Sequence, residues 1–262
     1  MSEPPPGGSW LHSFGRDPNG RLFTLNGALL RKMTTFDRGF YERLLADIAA
    51  RPTLRERLVG TALRPPGLPG DAAVLEHERI APKLYPSEWS TEMFRDAALA
   101  HVEVHAELAR SGYGLQDAHP WNILFEHCEP RFVDFGSFLP AASAPSPRGL
   151  LREYLDFMVY PLALMARGRG EKARRYLYVS SPPLELRDLL GHLGPFDGPA
   201  FLLSRLRHEA AARVSLPSLL RSLGRHIRAA RIPTPLTQWT GYHAAEFKSE
   251  PRHWHDKQRL VK

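Results

Sequence analysis

The chain has 262 residues, of which 43% are hydrophobic and one is cysteine, and its formal charge at pH 7 is +7. That length and apolar content supply a core for one large domain or two lobes sharing an interface, which excludes a wholly disordered chain. The lone Cys128 excludes an internal disulfide framework, and a reducing, cytoplasmic setting is expected.

No stretch approaches the roughly 18 uninterrupted apolar residues of a membrane span. The N-terminal MSEPPPGGSW has neither the basic nor the apolar region of a secretion signal. The positive charge suits an anionic ligand, but the basic residues are scattered along helical patterns and no nucleic-acid module is recognisable. A solvated basic surface is expected, with neither nucleic acid nor membrane as a partner.

Residues 1-9 are rich in proline and glycine and too poor in apolar groups to offset the entropy of ordering, so a disordered tail is expected there. RLFTL from Arg21 and ALLRKM from Ala28 read as two strands around Asn26-Gly27, because a type I′ turn requires positive φ at both central positions. Thr35 and Asp37 are candidate N-caps for a helix over about 40–50, where Phe40, Leu44, Leu45 and Ile48 recur on one face. A short helix after Pro52, a loop over ALRPPGLPGD and an extended VLEHERI follow. Ser90 or Thr91 opens a helix marked by Phe94, Ala98, Val102, His105 and Leu108, which Ser111-Gly112 ends. From about Leu150 the pattern is helical, broken at Pro182-Pro183, Gly194-Pro195 and Gly198-Pro199. A β-containing part over 10-85 thus precedes a helical part over 86-240, and 241-262 is a C-terminal tail or linker.

Chemistry concentrates in QDAHPWNILFEHCEPRFVDFG, Gln116 to Gly136. In kinase-type phosphoryl transfer one Asp orients or deprotonates the acceptor hydroxyl, while an Asn and a second Asp hold the metal ions that bridge the phosphates. Asn122 stands five residues after Asp117, as the catalytic loop requires, and Asp134-Phe135-Gly136 closes an apolar strand twelve residues later. His119 is as much a loop residue bonding nearby backbone as a chemical group, and Trp121 is read as a packing anchor. His101 and His105 share a helix face, but Glu103 sits at the wrong offset for a zinc-protease site and no zinc is expected there. His253, His255 and Asp256 are read as a solvated tail.

The variant D-A-H-P-W-N resembles the loop of the aminoglycoside phosphotransferase and choline kinase branch, whose members phosphorylate small-molecule hydroxyls. The resemblance implies an α+β, two-lobed protein-kinase-like fold with an abbreviated β-containing N-lobe and a large, mainly helical C-lobe. It implies ATP and Mg2+ as cofactors, a small-molecule substrate, Asp117 as catalytic base, and Asn122 and Asp134 as metal ligands. For the cation that contacts the phosphates, Lys32 is the first candidate and Arg31 the second, with Glu42 on the following helix as partner. Taken with RLFTLNGALLRKM, YPSEWSTEMFRDAALAHVEVHAEL, FVDFGSF and the closing QWTGY and DKQRLVK, the chain is also similar to the kinase-like N-terminal region of a family of bacterial class I SAM-dependent methyltransferases.

No strand followed by a glycine-rich turn and a downstream acidic residue is present, so no SAM site and no methyl transfer by this chain alone are expected. There is no G-x-G-x-x-G loop, and Leu115-Gln116 stands where kinases carry His-Arg. Two readings therefore stay open: an ATP-dependent phosphotransferase, and a catalytically silent kinase-like binding module that works with a methyltransferase partner.

Overall fold

The computed structural model describes residues 8–11, 19–65, 73–195 and 197–233. The C-terminal segment 241-262, with His253, His255 and Asp256, lies outside the described residues, as does QWTGY. The chain is of mixed α+β class. An antiparallel sheet is built from β1 (Gly8–Trp10), β2 (Gly20–Leu25), β3 (Ala28–Met33), β4 (Thr61–Leu63) and β5 (Val74–His77), in the order β1-β2-β3-β5-β4. Gly8 and Ser9, expected within a disordered tail, are instead strand residues paired with Leu25 and Thr24, because the edge of β2 offers them a ladder of backbone partners.

The β2–β3 hairpin closes at Leu25 and Ala28 through Asn26 and Gly27, whose φ angles of 49° and 80° are those that the turn demands. Alternation along β3 then sorts its side chains. Leu30 packs with Phe23 and Val74 in a small cluster, whereas Met33 joins the main core. Helices α1 (Arg38–Ala50) and α2 (Pro52–Arg57) connect β3 to β4. Asp37 caps α1 by accepting from the Phe40 amide at 2.8 Å, and Phe40, Tyr41, Leu44 and Ile48 are its buried face. Proline at the first position of α2 removes an N–H that would have no helical partner.

A 3-10 turn, Pro86–Glu88, leads to α3 (Thr91–Arg110). Ser90 caps α3 through the Met93 amide, and Gly112, with φ of 82°, ends it. Glu88 accepts from the Tyr85 amide at 2.7 Å in a capping box, so it secures the turn. Helix α3 packs on β8 (Glu129–Phe132) and on α9 (Leu216–Ala229). Two short antiparallel pairs also form, β6 (Tyr113–Leu115) with β9 (Phe138–Pro140), and β7 (Ile123–Glu126) with β8. Helix α4 (Pro147–Tyr154) runs through a π-helical turn, Leu155–Val159, into α5 (Tyr160–Met165), and α6 (Gly170–Arg175), α7 (Leu186–His192) and α8 (Asp197–Val214) complete the helical part.

One apolar core joins the sheet to the helices, with Met33, Leu44, Leu58, Phe94, Phe132, Phe135 and Leu223 in the same cluster. Phe132 and Phe138 stack at 5.4 Å at its centre. Truncating either ring to alanine is expected to cost about 3–5 kcal/mol. No helix among the described residues is long and apolar enough to cross a membrane.

Candidate active site

A cleft of about 630 Å³ opens between the sheet, the segment 78–83 and the loops at 116–122 and 133–137. That volume lies within the range of small-molecule and cofactor sites. Leu22, Leu29, Arg31 and His77 line it from the sheet, and Gln116, Asp117, His119, Trp121, Asn122 and Asp134 from the loops.

The β7–β8 hairpin explains the twelve-residue spacing of the motif. Four residues of each strand pair from Ile123↔Phe132 to Glu126↔Glu129, and His127 takes a positive φ of 54° in the turn. The chain therefore returns to its starting point, and the Val133 amide donates to the Asn122 carbonyl at 2.8 Å. Asn122 and Asp134 consequently flank the open end of one hairpin. A 3-10 turn, Pro120–Asn122, then carries Asn122 back toward Asp117.

Asp117 is fixed at one oxygen. Its Oδ1 accepts from Asn122 Nδ2 at 2.6 Å and from Ser137 Oγ at 3.3 Å. Its Oδ2 accepts no hydrogen bond among the described residues and lies 3.6 Å from His119 Nε2. The adjoining Ala118 amide donates to Glu153 Oε2 at 2.6 Å, so a residue of α4 braces the loop. Burial pushes the Glu153 carboxyl above its ordinary range, the Ala118 N–H opposes that shift, and the Asp117 charge adds to it.

Asp134 is engaged from two sides. Its Oδ1 accepts from the Gly136 amide at 3.1 Å and from Arg31 Nη1 at 2.5 Å, with the two side chains only 9% and 24% exposed for Arg31 and Asp134. A third link across the cleft comes from Asn19, which is buried. Its Nδ2 donates to Gln116 Oε1 at 2.5 Å and to the Gly136 carbonyl at 2.7 Å, while its Oδ1 accepts from Thr35 at 2.7 Å. Gln116 is thereby bonded to the β-containing part of the chain.

Of the six residues singled out in the sequence, Arg31, Asp117, Asn122 and Asp134 meet in the cleft, and Lys32 and Glu42 do not. Lys32 lies next to Arg31 on β3, and strand alternation turns it to the opposite face, opposite Val74 and Arg21. Glu42 is on the exposed side of α1, where it pairs with Arg38 at 2.9 Å. Arg31, the second candidate, lines the cleft and pairs with Asp134 rather than with a carboxylate of α1. Leu29 and Arg31 facing the cleft, with Met33 in the core, is an alternation legible in ALLRKM. Asn19 and Glu153 had no comparable signal, since each depends on contacts made far away in sequence.

His77, at the end of β5, is buried at the back of the cleft. The Thr61 hydroxyl donates to the Val59 carbonyl, so Thr61 Oγ1 accepts from His77 Nδ1, which assigns the neutral ring with its proton on Nδ1. Burial, with the Arg31 charge adding to it, lowers the His77 pKa to about 4. Away from the cleft, His101 and His105 both contact the Tyr154 hydroxyl through Nδ1, at 3.1 and 2.9 Å, inside the core.

As for a cation, Asp134 and the buried Asn122 supply hard oxygen donors in the lining of the cleft. Among the described residues no group of three or more His, Cys, Asp or Glu side chains forms a metal cage. Magnesium commonly takes one or two carboxylates and completes its shell with water and substrate phosphates, so this donor set fits an ion brought in with a phosphorylated ligand.

No family model matches the chain. Nodulation protein NoeA of Rhizobium meliloti (strain 1021) is 29% identical over 138 residues, covering 48% of this chain and 27% of that protein. The similarity thus spans about half of this chain and roughly a quarter of the relative.

Proposed function

We propose that the chain is a kinase-like domain of two lobes that binds ATP with Mg2+ and transfers a phosphoryl group to a small-molecule hydroxyl. The observation that carries this reading is the meeting of Asp117, Asn122 and Asp134 in one cleft, with Asn122 bonded directly to Asp117. Asn122 and Ser137 hold Asp117 Oδ1, which leaves Oδ2 to accept the proton of an acceptor hydroxyl. Glu153, through the Ala118 amide, keeps that carboxylate in place. Asn122 and Asp134 would hold the cation, which supplies charge neutralisation at the phosphates. Arg31 offers a planar, permanently charged fork suited to phosphate oxygens.

The test is Asp117→Asn. Transfer to a screened panel of hydroxyl acceptors should fall by about 10²–10⁴-fold with ATP binding retained. Unchanged turnover in that variant would remove Asp117 as the base.

A second reading is favoured by the Arg31–Asp134 ion pair, since a carboxylate occupied by arginine is not offering that oxygen to a metal. In this reading the cleft binds its ligand without transfer and the domain serves a SAM-dependent methyltransferase partner. Nucleotide binding without turnover of any acceptor, together with co-purification of such an enzyme, would support it over the first.

A further inference from the structure

We infer that anion and cation enter this cleft as a coupled pair, because Arg31 holds the Asp134 carboxylate until an anionic ligand draws the guanidinium away. The inference rests on the proposal that the cleft takes a phosphorylated ligand. Two observations and one property of arginine support it.

Arg31 Nη1 lies 2.5 Å from Asp134 Oδ1, the oxygen that the Gly136 amide also contacts. A divalent ion bound there would sit beside a guanidinium, and two cations sharing one carboxylate repel strongly in a partly buried site. The backbone of Arg31 is held mid-strand, opposite Leu22 of β2 and Leu75 of β5, so the side chain can swing within the cleft but cannot leave it. Finally, arginine does not lose its proton at any pH a protein survives, so the carboxylate is released by an alternative partner for the guanidinium and not by titration.

A phosphoryl group is such a partner. Its oxygens match the two-pronged donor geometry of arginine better than one carboxylate oxygen does, and the ligand brings further oxygens for the ion. Once Arg31 turns to the anion, Asp134 Oδ1 is open to the cation. Linkage then requires that each ligand strengthen the other by the same factor.

Mn2+ binding to the purified chain, followed by the electron-spin-resonance signal of the free ion, tests this with and without inorganic phosphate, which chelates the metal only weakly. For the wild type, saturating phosphate should tighten Mn2+ binding by about tenfold or more, within the usual range of coupling between sites. Arg31→Gln should bind Mn2+ alone more tightly than wild type by a similar factor, bind phosphate more weakly, and lose the coupling. Asp134→Asn should abolish Mn2+ binding in both backgrounds. Circular dichroism checks folding, and Arg31→Lys, a shorter point charge, should show intermediate coupling should Arg31→Gln fold poorly. Equal Mn2+ affinity in wild type with and without phosphate, alongside measurable phosphate binding, would overturn the coupling alone. Absence of both phosphate and Mn2+ binding in wild type and Arg31→Gln would overturn the phosphoryl-ligand proposal with it.

Discussion

Replacing Asn19 with alanine removes a side chain that connects three separate segments. Two of its bonds are donated by Nδ2, to Gln116 Oε1 and the Gly136 carbonyl, and one is accepted by Oδ1 from Thr35. Thr35 is exposed and can turn its hydroxyl to water, so that bond contributes little. Gly136 is buried, and its carbonyl loses a donor without gaining solvent, which costs about 1–3 kcal/mol. Gln116 is half-buried and adds about 1 kcal/mol. The sum is about 2–4 kcal/mol, a large share of the stability of an ordinary domain. Urea unfolding followed by circular dichroism should show a lower midpoint at unchanged slope. Asn19→Asp should be at least as damaging, since a carboxylate would face two acceptor oxygens. A double-mutant cycle with Gln116→Ala should return a coupling of about 0.5 kcal/mol or more. Midpoints for both Asn19 variants within about 0.5 kcal/mol of wild type would refute the bridging role.

Acid should destabilise the fold before it protonates many carboxylates. His77 and His105 are held at about 4 against about 6.5 unfolded, mainly by burial. Because the folded values are depressed, the unfolded chain binds more protons below pH 6.5, so stability is full above that point and is lost as pH falls toward 4. Each group should account for about 2 kcal/mol of loss between pH 7 and 5, and a flat urea midpoint over that range would contradict the assignment. Tyr154→Phe leaves both imidazole Nδ1 atoms without their hydroxyl and should cost about 2–4 kcal/mol in thermal or urea unfolding; a loss below about 0.5 kcal/mol would count against the shared bond. Lys32→Ala should leave phosphate affinity within about twofold of wild type, whereas Arg31→Gln reduces it, and an equal loss in both would return Lys32 to the site.

The elements legible in the sequence are those with local causes. Asn26-Gly27 marks its hairpin because two positive φ angles are tolerated there, and Asp37 and Ser90 mark helix starts because a short oxygen-bearing side chain reaches the first free amides. The cleft loops are legible for a similar reason, since spacing along one hairpin determines what Asn122 and Asp134 approach. Residue type favours Lys32 over Arg31, whereas the alternation of Leu29, Arg31 and Met33 marks the cleft-facing side. Asn19, His77 and Glu153 follow from none of these patterns. Their partners lie 97, 16 and 35 residues away in sequence, at Gln116, Thr61 and Ala118, and the contacts exist only once sheet and helices have packed.

The π-helical turn at Leu155–Val159 has consequences for how this chain tolerates length changes. A regular helix would advance by 3.6 residues per turn, and the wider turn accommodates about one more before α5 begins. Glu153 and Tyr154 before it, and Tyr160 and Leu162 after it, keep their relative phase because the wide turn absorbs that residue. Deleting Phe157 would return the turn to regular α-helical geometry and leave the buried faces of α5 close to their present phase with α4, because the wider turn spends one more residue on the same rotation. A single-residue deletion should therefore be better tolerated within Leu155–Val159 than in the regular turns of α4, where it would rotate the downstream residues by roughly 100°.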